Sequence, residues 1–403
     1  MKFSKLSQLF LVSSIGLLVA ALFTACAITT IDYVYVATSA GIDTYAADAQ
    51  SGALRTAGAA VTSGVSSPVA LAVTPDYSNL YVANAGNNTI VHYSISLTGT
   101  LALQSDKATL ASAPVAITVN SAGTYLYAVS GTASATLTAY PLTSGAIGAA
   151  ASSVALTVPG YASDTIIPTG VTVLANNSAV FATAYDQSAY NPGGAITSNA
   201  NSGWIFGFTV GSSGALTAVT SGNPAATVSP WQAGNKPSAL AADPHNRFVY
   251  VTDYANNQLI GYTIQDGNVL KFMPTGPFRT GNEPSAITID PRGLFIYVTD
   301  ELDSVVLAYT IVPLTGNPTI SVNISGTQTN PTDTQPVDVI VEPALGRFVY
   351  TANYLGDSVS GFRLDATSGA LSAAQATPYP SGQNPTALIA VPRGNHATQL
   401  VNP

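Results

Sequence analysis

Charge is what this chain has least of. Among its 403 residues only 12 are Lys or Arg and 20 are Asp or Glu. The basic residues form no cluster, which argues against nucleic acid as a partner, because phosphate backbones are held by grouped Lys and Arg. Cysteine is limited to Cys26. No disulfide can therefore form within the chain, and stability has to come from a packed core, which a chain of this length is able to bury. The three histidines, His92, His245 and His396, fall in a strand, a turn and the tail, so they are not expected to meet at one metal or one nucleophile. Glutamate is restricted to Glu283, Glu301 and Glu342. A Gly-x-Ser-x-Gly elbow, a zinc motif, a phosphate loop and a dinucleotide fingerprint are all missing. Beyond the N-terminus, apolar residues do not keep the three-and-four spacing of helices.

What is present is a repeat. Seven segments start with proline and continue with small and aliphatic residues: Pro68-Val-Ala-Leu-Ala-Val, Pro114-Val-Ala-Ile-Thr-Val, Pro168-Thr-Gly-Val-Thr-Val, Pro237-Ser-Ala-Leu-Ala-Ala, Pro284-Ser-Ala-Ile-Thr-Ile, Pro336-Val-Asp-Val-Ile-Val and Pro385-Thr-Ala-Leu-Ile-Ala. They stand 46 to 69 residues apart. After six of them comes a turn and a strand rich in aromatic and β-branched residues, such as Phe248-Val-Tyr-Val-Thr-Asp253 and Phe295-Ile-Tyr-Val-Thr-Asp300. In four units the Asn or Asp ending that strand precedes an aromatic by nine residues (Asn84/Tyr93, Asp253/Tyr262, Asp300/Tyr309, Asn353/Phe362), a fixed hairpin length that sets register. A variable fourth strand completes the unit. Such a period in a strand-only chain predicts blades of a propeller.

The ends complement one another. The chain enters the repeat at Tyr33-Val-Tyr-Val-Ala without an anchor, and the last anchor, Pro385, has no aromatic strand behind it. Ring closure solves both: Thr386–Val391 becomes the innermost strand of the blade begun by residues 33–66, and the exposed edges disappear. The reading is all-β, a seven-bladed β-propeller of four-stranded antiparallel blades, closed by the C-terminal strand joining the N-terminal blade. The Tyr-Val-Thr-Asp and Tyr-Val-Ala-Asn strands (Tyr250 to Asp253, Tyr297 to Asp300, Tyr81 to Asn84) resemble the YVTN-type repeats of bacterial surface propellers. They also resemble the seven-bladed lactonase family that includes 6-phosphogluconolactonases. The resemblance spans roughly residues 31–395 and implies lactone hydrolysis.

The N-terminus reads as an export signal of lipoprotein type. Lys2 and Lys5 precede an apolar stretch from Leu9 to Phe23, too short for a stable transmembrane helix, and Leu22-Phe-Thr-Ala-Cys26 resembles a lipoprotein processing site. The expected organisation is 1–25 signal, 26–32 anchor linker, 33–395 propeller and 396–403 tail. Lipid on Cys26 would hold the protein, expected to be a monomer, at the cell envelope, facing the periplasm or on the outer membrane. Loss of Lys2 and Lys5 takes the net charge from −8 to −10.

Candidate sites lie where the loops before the anchors and the hairpin tips after the second strands form one mouth of the ring. Gly234-Asn-Lys-Pro237, Gly281-Asn-Glu-Pro284 and Gly382-Gln-Asn-Pro385 are nearly the same turn. Its variable position offers Lys236 and Glu283 as ligand contacts. Glu283, Asp253 and Asp300 are the acids best placed for general-base work. Asn84, Asp253, Asp300 and Asn353 together are candidate ligands for a hard cation such as Ca²⁺, against the alternative that they cap hairpins. No other cofactor is suggested. The fourth blade carries an enlarged hairpin from Ala184 to Trp204, and Tyr185, Tyr190, Trp204 and Trp231 offer flat faces to a sugar or a partner. The composition favours a non-catalytic binding or scaffold protein with an envelope partner. The resemblance implies a lactonase-like hydrolase instead, and the fourth-blade aromatics a carbohydrate or cell-wall binder.

Overall fold

A computed structural model describes residues 29–158, 165–188, 202–220, 229–323 and 325–393. Seven antiparallel sheets follow one another along the chain. Their inner strands are Pro68–Val73, Pro114–Val119, Ile166–Val173, Pro237–Ala242, Pro284–Ile289, Pro336–Val341 and Ala387–Pro392. Each contacts the next all the way round, so these strands form the wall of a ring. The second strands coincide with the aromatic segments: Asn79–Asn84, Tyr125–Ser130, Phe248–Asp253, Phe295–Asp300 and Phe348–Asn353 begin and end where the repeat pattern puts them, and Ala179–Asp186 runs two residues longer. In blades three to seven the outermost strand is broken into two short pieces that both pair with the third strand. The ring closes as expected: Tyr33 lies opposite Val391 and Ala37 opposite Ala387.

The core sits between blades, not within one. Tyr250, Leu259 and Met273 of blade five interleave with Ile296, Val298, Leu307 and Tyr309 of blade six, all nearly inaccessible to water. Fully burying each such side chain contributes about 1.5–3 kcal/mol. A polar bond accompanies this packing. In five blades the second-strand tyrosine donates its hydroxyl to a glycine carbonyl in the outer hairpin of the next blade: Tyr35 to Gly99 (2.8 Å), Tyr81 to Gly145 (2.6 Å), Tyr250 to Gly316 (2.5 Å), Tyr297 to Gly369 (3.0 Å) and Tyr350 to Gly52 (2.8 Å). The glycine is required twice over. Gly369 has φ +70°, and a Cβ there would come within 2.3 Å of the Phe295 ring. The Tyr-Val-Thr-Asp motif is thus an inter-blade latch. Blade four carries Phe181 instead of tyrosine, and the Tyr127 hydroxyl of blade three is buried without a partner.

Two faces result. The upper face carries the loops entering the inner strands and the tips that follow the second strands. The lower face carries the turns between first and second strands and the outer hairpins. Among the described residues no helix is long and apolar enough to cross a membrane.

Candidate functional site at the upper mouth

One backbone pattern repeats at the upper mouth and builds the site. The residue before the inner-strand proline accepts a hydrogen bond from the first residue of its own blade's hairpin tip: Tyr254 N–H to Lys236 O (2.9 Å), Glu301 N–H to Glu283 O (2.9 Å) and Tyr354 N–H to Gln335 O (2.7 Å). Three pairs of side chains from blades five, six and seven are thereby set beside one another.

In blade five the turn Gly234-Asn-Lys-Pro237 lies across the strand end. Gly234 has φ +78°, and a Cβ there would stand 2.1 Å from Asp253 Oδ2. Asp253 binds the turn through the N–H groups of Asn235 (3.1 Å) and Lys236 (2.9 Å), and also accepts from Asn256 Nδ2 and Gln258 Nε2. This fixes Lys236. Its Nζ sits 4.0 Å from the ring centre of Tyr254 and 5.9 Å from that of Tyr185, a cation held against aromatic faces. Tyr254 donates its hydroxyl to Glu283 Oε2 at 2.7 Å. Glu301 Oε1 accepts from Gln335 Nε2. Burial lowers the Lys236 pKa, and the charges of Glu301 and then Glu283 oppose that shift. The mouth therefore gathers one ammonium, two carboxylates and a phenol, with an excess of negative charge. Glu283 and Gln335 hold φ +57° and +60°. Ser67 (+47°) and Asn384 (+49°) share this left-handed backbone before their own inner-strand prolines, so it belongs to the repeated turn, at about 1–2 kcal/mol for a non-glycine residue.

Lys236 and Glu283 are linked at the mouth through Tyr254, which faces the one and donates to the other. Asp253, Asp300, Asn84 and Asn353 end the second strands of four different blades. All are fully buried strand ends. Asn84 accepts from the Ser66 N–H and donates to Gly64 O; Asn353 donates to Ser358 and Ser360. Three of the four clamp local backbone or hydroxyls. Asp300 is the exception: its two oxygens are buried without a partner. Among the described residues no three His, Cys, Asp or Glu side chains come together as metal ligands. The aromatic surface of blade four requires correction. Trp204 and Trp231 are 2% and 5% exposed and pack in two inter-blade cores, so neither presents a face to a ligand. Tyr185 does reach the mouth, beside Lys236. Tyr190 and Cys26 lie outside the described residues. Glu301, Tyr254 and Gln335 were not singled out from the sequence, although the recurring tip position they share with Tyr354, or the pre-proline position, could have marked them.

The fold and the mouth define a closed seven-bladed propeller with a polar cluster on its upper face. The family model "Lactonase, 7-bladed beta-propeller" matches residues 29–163 and 170–396, and the chain belongs to that family. No curated protein sequence matches it. Among solved structures it is similar to a Bacteroides fragilis protein proposed to be a 6-phosphogluconolactonase (TM-score 0.69, 18% identity, 90% of this chain and 98% of that one). It is also similar to a periplasmic gluconolactonase of Pseudomonas aeruginosa (TM-score 0.68, 20% identity, 90% and 99%). At these identities the likeness shows the fold. A Cps50 (Swd1) β-propeller domain from Myceliophteria thermophila matches at TM-score 0.55 and 8% identity, covering 84% of this chain and 97% of that one, so the architecture alone fixes no activity.

Proposed function

We propose that this protein hydrolyses an unphosphorylated lactone at the upper mouth. The carrying observation is the convergence of Lys236, Tyr254, Glu283 and Glu301 on a propeller of the lactonase family. This displaces the scaffold reading that composition alone favoured.

Opening a lactone requires a water made nucleophilic, stabilisation of the oxyanion at the carbonyl, and a proton for the departing alkoxide. Glu301, steadied by Gln335, takes the water's proton as it attacks. The Lys236 ammonium faces the developing oxyanion, and its lowered pKa makes it a ready proton donor when the ring opens. Glu283 holds the Tyr254 hydroxyl, and Tyr254 holds Lys236 in place. A phosphorylated lactone fits this mouth poorly, since a dianion meets two carboxylates and one ammonium. Proton release from a panel of aldonolactones, followed in weak buffer, tests the reading. Turnover should fall at least about 100-fold in Glu301→Gln and in Lys236→Met. Full turnover in both variants would remove the mouth as the active site.

In the same reading the protein works outside the cytoplasm, anchored by lipid on Cys26. The basic start, the apolar stretch ending at Phe23 and the lone cysteine support this, as does a fold neighbour described as periplasmic. Palmitate labelling that survives Cys26→Ser would contradict it.

A further inference from the structure

The lower outer flank holds a second feature, independent of the mouth. An open groove of about 710 Å³ runs between blades six and seven, lined by Val322 and Asn323 on one side and by Arg347, Arg363, Asp365 and Ser368 on the other. The two arginines sit on paired strands of blade seven: the Leu364 N–H donates to the Arg347 carbonyl at 2.7 Å, and Arg363 stands opposite Phe348. Neither guanidinium has a hydrogen bond or ion pair among the described residues.

The repeat shows why this is unusual. The residue at the Arg347 position of blade five is Arg247, and its guanidinium is bound through Nε and Nη2 to both oxygens of Asp243 (2.9 and 2.8 Å). The carboxylate that would do the same for Arg347 is Glu342, but its oxygens are taken by the N–H groups of Leu345 (2.9 Å) and Arg347 itself (2.6 Å). At the Arg363 position, blades five and six carry Thr263 and Thr310, each opposite the first residue of its second strand. Blade seven alone among these three therefore adds a second cation beside an arginine whose usual partner is occupied. Asp365 offsets one charge, and its Oδ1 is turned to its own hairpin, accepting from Thr367 and Ser368. Two guanidiniums lining one groove without a protein partner leave it cationic, and planar forks suit the oxygens of a tetrahedral oxyanion.

We propose that this groove binds a phosphate group, as free phosphate or phosphate ester or as the headgroup of an anionic phospholipid. The second source has a geometric basis. The first strand, Thr30–Thr38, runs from the lower face upward, so it begins on the face on which the groove opens.

The test uses the full chain with three variants, Arg347→Gln, Arg363→Gln and the double change, all at exposed positions where circular dichroism should show an unchanged fold. Inorganic phosphate is titrated by calorimetry, and vesicles of phosphatidylglycerol or of phosphatidylcholine are used in co-sedimentation. Saturable binding of phosphate, weakened at least about tenfold by either single change and abolished by both, supports the site and a soluble ligand. Sedimentation with phosphatidylglycerol but not phosphatidylcholine, lost in the double variant, supports the lipid source. Absence of binding in both arms, or binding unchanged in the double variant, overturns the proposal. None of these outcomes bears on lactone turnover, which the three variants should retain.

Discussion

Replacing Asp300 by Asn should stabilise this protein, and more so as the pH rises. Asp300 ends the second strand of blade six and is completely buried. Its counterpart in blade five, Asp253, collects four hydrogen bonds, two of them from Asn256 and Gln258. At the same offsets blade six has Asp303 and Val305, which donate nothing. Burial, helped by the charge of Asp303 and opposed by the nearby Gly281 N–H, pushes the Asp300 pKa from 3.8 to about 8. The sign follows from proton linkage. The folded state keeps a proton that the unfolded chain releases, so the group's favourable contribution is complete below the unfolded pKa and is lost as pH rises through the folded one. The loss accrues at about 1.4 kcal/mol per pH unit, which amounts to about 4 kcal/mol between about pH 4 and 7. Asn has the shape of the neutral acid and never ionises. Urea unfolding of both proteins, followed by fluorescence of the buried Trp204 and Trp231, should give equal stability near pH 4 and a gap that widens to a plateau above about pH 8. A gap that stays constant with pH, or a variant less stable than the parent at high pH, would refute the reasoning.

Other outcomes follow from the same contacts. Tyr297→Phe leaves the Gly369 carbonyl without its donor and should cost about 1–2 kcal/mol in urea unfolding, whereas Phe181→Tyr, with no such latch in blade four, should not gain as much. Gly369→Ala combines left-handed backbone with a Cβ 2.3 Å from Phe295 and should cost about 2 kcal/mol or more. Glu283→Asn relaxes a residue at φ +57° and should raise the melting temperature slightly while reducing lactone turnover, because Tyr254 loses its acceptor. Asp338 accepts from the Leu388 N–H at 2.8 Å and so ties blade seven to the closing strand; burial raises its pKa to about 6. Asp338→Ala should cost about 1–3 kcal/mol, a loss visible as a lower urea midpoint.

The fold was readable because its two determinants are local and periodic. The proline anchors and aromatic strands recur at near-constant offsets, and the unmatched ends, Tyr33 without an anchor and Pro385 without a strand, specify closure. What the tyrosine does was not readable, since its partner glycine lies about 64 to 72 residues away in the next blade, or 298 in the closing one. The mouth was half legible. Lys236 and Glu283 stand out as variable positions in a repeated turn. Glu301 and Tyr254 stand out less: they share a recurring tip position, but its pairing with the pre-proline carbonyl, which brings them to the mouth, exists only in three dimensions. Asp253 and Asp300 look alike in sequence, yet the residues three and five positions later make one a saturated staple and the other an isolated buried acid. The tryptophans misled for a related reason. The enlarged blade-four hairpin suggested an exposed surface, but the small Gly207 opposite Phe181 leaves room into which Trp231 packs.

The central claim is lactone hydrolysis at the upper mouth by Glu301 and Lys236. The most direct measurement is kcat/KM of the parent protein and Glu301→Gln for an aldonolactone with and without a phosphate ester. The account predicts turnover of the uncharged lactone, a phosphorylated substrate at least about tenfold poorer, and a loss of at least about 100-fold in the variant. Preference for the phosphorylated lactone, or equal rates in parent and variant, would contradict it.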